Sequence, residues 1–276
     1  MLIFRSILQK NLRQFSSAIP NPLISNETLN YEYDSKGIIG KITMSNSKIR
    51  NAIGKQAISD FNSLFDSLIK EPPRGLIIKS NTSEYFCSGG NLKERDKMTE
   101  FDILILSNSI RDLFSRIRLL PFPTIALISG FAFGGGFELS LMCDFRFATK
   151  SCILCLPQTQ IGTVPGLGGI NRLMQMLSIT KVKDIIFTGK KIKWKEALEL
   201  GLIDQVFDTQ EEALKKAEEY LIQIAKNDEL SILAAKDSIE SFYVVDKFKE
   251  TINHTKMIHN PERAKYIRTF SNKHTN

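Results

Sequence analysis

Apolar positions alternate along some stretches of this chain and recur at helical spacing along others. Residues 29–44 set Tyr31, Tyr33, Ile38, Ile39, Ile42 and Met44 around the turn Asp34-Ser35-Lys36-Gly37, which predicts a hairpin. Lys55–Lys70 follows with Ile58, Phe61, Leu64, Phe65 and Leu68 on one helical face, and Pro72 and Pro73 stop it. A short apolar run at 75–79 reads as a buried strand. The round then repeats: a helix over 100–119, punctuation at Pro121 and Pro123, and a strand over 124–129. A third round opens with a helix starting in Gly134-Gly135-Gly136 and continues with strands over 144–149 and 152–156. This alternation is the signature of an α/β fold. Beyond Gly201 the strand signals fade, and 211–226, Glu229–Ser241 and 245–259 all read as helices. A boundary is therefore placed near Asp208, with an α/β core over 29–208 and a helical C-terminal segment over 209–276.

Composition changes this picture little. A hydrophobic share of 42% and a charged share of 24% suit an ordinary globular protein with a sizeable core. The formal net charge is +7, but no Lys/Arg block forms a patch of the nucleic-acid-binding kind. Arg5, Lys10 and Arg13 supply three of the positives in an N-terminal stretch that has no acid before Glu27. Residues 1–19 are basic, Ser-bearing and able to form an amphipathic helix, which suits a mitochondrial presequence; a disordered tail is the alternative. No apolar run approaches the roughly 20 residues of a membrane span. Cys152 and Cys155 form a lone C-x-x-C inside a predicted strand, so they read as core thiols in a reducing compartment. His254, His259 and His274 all lie near the C-terminus, far in sequence from the candidate chemistry.

That chemistry centres on two glycine-rich segments, each between a predicted strand and a predicted helix. They are Phe86-Cys87-Ser88-Gly89-Gly90-Asn91-Leu92-Lys93-Glu94-Arg95 and Gly130-Phe131-Ala132-Phe133-Gly134-Gly135-Gly136-Phe137-Glu138-Leu139. Glycine lets backbone N–H groups approach a ligand closely, and N–H groups at a helix start lack partners. Two of them aimed at one carbonyl oxygen would form an oxyanion hole. Either segment alone is weak evidence, because a glycine run at a helix start more often serves tight packing than catalysis.

As an ordered pair they resemble the crotonase (enoyl-CoA hydratase/isomerase) family. The resemblance extends through Met142-Cys143-Asp144-Phe145-Arg146, Ile161-Gly162-Thr163-Val164-Pro165-Gly166-Leu167-Gly168-Gly169, Arg50-Asn51-Ala52-Ile53 and the stretch 197–203. Residues 90–98 look most like the mitochondrial methylglutaconyl-CoA hydratase branch. The resemblance implies a core of repeated ββα turns, a C-terminal trimerisation segment giving trimers or hexamers, and a CoA thioester substrate in the mitochondrial matrix. It implies no separate cofactor, because CoA is part of the substrate. Some members of the branch bind RNA through a lysine-rich helix; here that helix has only Lys55 and Lys70 with Asp60 and Asp66 between, so RNA binding is not expected.

Carried over, the resemblance makes the backbone N–H groups of Ser88 and Gly135 the oxyanion donors. It puts Arg50, Asn51, Ala52 and the loop of Ser88, Gly89, Gly90 and Asn91 against the CoA portion. Glu138 matches the first family glutamate. The second is replaced by Gln158, and no Asp or Glu occurs between Asp144 and Asp184. An amide can hold a water, but it neither takes nor gives a proton near neutral pH. Three readings follow: a hydratase-like lyase using Glu138 and a water on Gln158, an acyl-CoA decarboxylase or isomerase, and a silent CoA-binding subunit.

Overall fold

The hairpin forms where alternation places it, with β1 (Leu29–Tyr33) antiparallel to β2 (Ile39–Met44). The structure, a computed structural model, describes residues 24–241. The 1–19 stretch, the 245–259 helix and the three histidines therefore lie outside the described residues.

Helix α1 (Lys55–Lys70) buries Ile58, Phe61, Leu64, Phe65 and Leu68, the stripe its spacing sets on one face. Next come β3 (Gly75–Ser80), β4 (Tyr85–Cys87), the single-turn α2 (Leu92–Arg95) and α3 (Glu100–Arg118). Thr99 and Asp102 form a reciprocal capping box that starts α3. The next turn runs β5 (Thr124–Ile128), β6 (Phe131–Phe133) and α4 (Gly135–Leu141). It is followed by β7 (Phe145–Thr149), β8 (Ile153–Cys155) and a 3₁₀ turn, Pro157–Ile161. Then α5 (Gly169–Met176), α6 (Ile179–Thr188), β9 (Ile192–Lys193), α7 (Trp194–Glu199), β10 (Gln205–Phe207), α8 (Gln210–Ile224) and α9 (Glu229–Ser241) complete the described chain.

The strands form two mainly parallel sheets, ordered β1-β2-β3-β5-β7-β10 and β4-β6-β8-β9. Each ββα turn adds one strand to the first sheet and one to the second, so the chain spirals. The strands β3 and β5 carry continuous apolar runs, over 76–78 and 125–128, because both faces are covered there. Leu76, Ile78, Ala126 and Ile128 enter the main core, while Ile77, Ile125 and Leu127 face outward and are covered by α8. That helix does so with Ala213, Ala217 and Leu221, which are fully buried against them. Helix α9 is tied down by Lys236, whose Nζ donates to Asp144 Oδ2 at 2.7 Å and to Phe122 O at 2.9 Å. Among the described residues no helix is long and apolar enough to cross a membrane.

Three adjacent strands of the second sheet position the site. Strands β4, β6 and β8 are parallel neighbours, with Cys87 opposite Ala132 and Phe133 opposite Cys155. All three therefore end on the same side. Each ends one residue or so before a segment that carries candidate chemistry: the Ser88 loop, the Gly134–Gly136 turn and the 3₁₀ turn with Gln158. At three residues each, β4 and β6 are too short to show an alternation along the chain. Cys152 and Cys155 are buried free thiols, and burial pushes them up to about 12 and about 11.

Candidate active site

Two close approaches bring the glycine segments together. Gly134, at φ +50°, turns the chain from β6 into α4, and its N–H donates to Cys155 O at 2.8 Å. Gly136 lies against the backbone oxygen of Cys87 so closely that any Cβ there would collide with it. The first turn of α4 is thereby pressed onto the end of β4. A Cβ built on Gly135 would lie 3.6 Å from Gly90 N and 3.2 Å from Leu167 Cδ1.

The first expected donor needs correction. The Ser88 N–H is not free, because it donates to Arg50 O at 3.0 Å. The Gly89 N–H faces Cys87 Sγ at 3.4 Å. Among the described residues the N–H groups of Gly90 and Gly135 have no hydrogen-bond partner. The first is passed over by the bridge between Ile53 and its loop, and the second starts a helix. The donor pair on offer is thus Gly90 with Gly135, two residues along from the position expected.

The segment 49–53 holds that loop in place. Ile53 N–H donates to Gly89 O at 2.7 Å, Asn91 N–H to Ile53 O at 3.0 Å, and Ser88 Oγ to Ile49 O at 3.1 Å. Arg50 and Asn51 both adopt left-handed backbone, at φ 49° and 56°, a conformation that costs non-glycine residues about 1–3 kcal/mol each. The tight stitching to the loop over-determines it. Asn51 is buried, donating from Nδ2 to Ser80 Oγ and Phe86 O, and Ala52 is buried too. Asn91 caps α2 by accepting the Glu94 N–H at 3.2 Å. Of the expected CoA contacts, Arg50 is the one whose side chain is exposed beside the loop. Cys87 beneath it is fully buried, and burial pushes its thiol up to about 12.

Glu138 is 1% exposed, on a helix whose every residue is buried. A buried carboxylate requires donors, and it has them. Its Oε1 accepts the N–H groups of Leu167 at 2.9 Å and Gly169 at 3.1 Å, the latter at the start of α5. Its Oε2 accepts Gln158 Nε2–H at 3.0 Å. Gln158 is itself buried, and its carbonyl oxygen Oε1 has no partner. The amide touches the carboxylate directly, and its acceptor is left over.

Over residues 34–271 the chain matches the profile of the enoyl-CoA hydratase/isomerase family. It belongs to the crotonase family. Mouse enoyl-CoA hydratase domain-containing protein 2, mitochondrial, is 37% identical over 193 residues, 67% of this chain and 65% of that protein. The probable enoyl-CoA hydratase 2, mitochondrial, of Arabidopsis thaliana is 37% identical over 205 residues, 74% of this chain and 67% of that protein. This crotonase chain thus spans about two thirds of the length of those relatives. Among solved structures, an enoyl-CoA hydratase from Bacillus anthracis superposes with a TM-score of 0.76 at 30% identity, covering 89% of this chain and 96% of that one. The fold is the crotonase α/β fold that the glycine segments led one to expect.

Proposed function

We propose that this crotonase chain binds an acyl-CoA thioester and acts as an enoyl-CoA hydratase-like lyase. The observation that carries the reading is the pair of unpartnered N–H groups, Gly90 and Gly135, beside a buried carboxylate. The thioester oxygen sits between the two donors, which stabilise it more as negative charge develops. Gln158 Oε1 accepts one hydrogen of a water and Glu138 Oε2 the other. Glu138 takes a proton as the water oxygen bonds to the β-carbon, and the thioester becomes an enolate. The α-carbon then needs a proton. Gln158 has none to give, so Glu138 returns the one it took, and water has added across the double bond. Arg50 supplies positive charge for the CoA phosphates; Asn51, Ala52, Ser88, Gly89 and Asn91 shape the loop it meets.

The same lone carboxylate supports a second reading, decarboxylation, in which loss of CO₂ makes the enolate and Glu138 has only to deliver one proton. Purified protein assayed against enoyl-, methylglutaconyl- and malonyl-type thioesters separates the two. Hydration of an enoyl thioester supports the lyase, CO₂ release the decarboxylase, and CoA binding without turnover a silent subunit.

Two further expectations belong to this reading. Assembly into a trimer or hexamer through residues beyond about 208 is supported by Leu230 and Ile239, exposed apolar residues on α9. Light scattering at micromolar concentration should show it, and a stable monomer would contradict it. Location in the mitochondrial matrix is supported by the mitochondrial names of the relatives above. Chain purified from mitochondria should begin after about residue 19, and a mature N-terminus at Met1 would refute this.

A further inference from the structure

A chain of hydrogen bonds links the Glu138 carboxylate to α3. The Leu167 N–H that donates to its Oε1 at 2.9 Å belongs to the same peptide unit as Gly166 C=O. That carbonyl accepts the Nε–H of Arg111, on α3, at 2.9 Å. Arg111 is braced in turn by Asn108, whose Oδ1 accepts its Nη1–H at 2.7 Å. A peptide unit is planar, so its N–H cannot swing without moving its C=O. Hydrogen bonds in such a chain also polarise one another, and a charged donor strengthens them.

We propose that Arg111 is the positioning residue for Glu138, acting through the Gly166–Leu167 peptide. The guanidinium locks the plane of that peptide and draws electron density toward its oxygen. The N–H on the other side is thereby aimed at the carboxylate and holds its ionised form. This rests on the reading of Glu138 as the acid/base group.

Few other ionisable groups lie on the elements packed around Glu138. Helix α4 has none besides Glu138, and neither β6 nor Pro157–Ile161 has any. Helix α5 has Arg172, whose Nε donates to Leu141 O at 3.0 Å. Strand β4 has Tyr85 and Cys87, and Arg95 lies beyond Gly90. Replacing Arg111 leaves all of them in place.

Arg111→Met, Arg111→Lys and Asn108→Ala in the full chain test the proposal. The Glu138 carboxylate is titrated by infrared difference spectroscopy against Glu138→Gln, a readout independent of turnover. Arg111→Met removes support for the charged form, so the midpoint should rise by about one pH unit. The acid limb of the kcat profile should rise with it, and kcat should fall about tenfold at neutral pH with KM within about twofold. Arg111→Lys still donates to Gly166 O and should recover part of both. Asn108→Ala only loosens the guanidinium and should give a smaller shift in the same direction. A midpoint unmoved in both Arg111→Met and Asn108→Ala would reduce Arg111 to a strut between α3 and the loop. If no thioester is turned over but the midpoint moves, the positioning role stands and the lyase reading falls.

Discussion

Gln158→Glu is expected to raise the hydration rate of a short 2-enoyl-CoA by about 10²–10⁴-fold, the usual worth of one acid/base group. Amide and carboxylate are nearly the same size, so packing around the 3₁₀ turn should change little. The electrostatics change more. The new carboxylate oxygen would take the place of Nε2, now 3.0 Å from Glu138 Oε2. Two carboxylates that close cannot both stay ionised, and one proton would be shared between them. The pair then offers a base for the water and an acid for the α-carbon at once, where the native site must use Glu138 for both. The sign of the pH dependence follows. Native activity should rise once, as Glu138 ionises. The variant needs the singly protonated pair, so its activity should also fall at high pH, through the raised pKa, giving a bell-shaped profile. Steady-state hydration measured across pH checks both points. If the variant instead loses a robust native activity, the site is built around an amide and decarboxylation becomes the better reading.

Gly135→Val should lower turnover by about 10²–10³-fold, the loss typical of one oxyanion donor, in a protein that stays folded. The Cβ would enter the space between the two free N–H groups, 3.6 Å from Gly90 N, with the methyls reaching farther into the place of the thioester oxygen. The nearest atom, Leu167 Cδ1 at 3.2 Å, is the end of a flexible side chain, so the fold can yield there. Gly136, one residue on, has no such tolerance, because backbone lies against it. Unchanged kcat in a Gly135→Val protein with native circular dichroism would remove Gly135 from the proposed hole.

How much of this was legible in the chain depended on the distance over which each feature is decided. Lys55–Lys70 was readable to the residue, since an amphipathic period and flanking breakers are local signals. The glycine segments, Glu138 and Gln158 were readable too, because their order along the chain identifies the family. Strands β4 and β6 were not, because three residues buried in a sheet carry no period. Helix α8 looked like a polar C-terminal helix, but the outward faces of Ile77, Ile125 and Leu127 require a cover, and Ala213, Ala217 and Leu221 supply it.

By itself, then, the sequence determined the fold family and the residue types available to the site, through patterns that repeat within a turn or a loop. Only the tertiary structure decided which groups are free. The Ser88 N–H is consumed by Arg50 O, and the Gly90 N–H is spared, because a residue from a distant stretch lies beside the loop. Gln158 reaches Glu138 across 20 residues, and Arg111 reaches Gly166 across 55. In each of these cases a hydrogen-bonding group's availability is set by the partner that packing brings to it from a distant part of the chain.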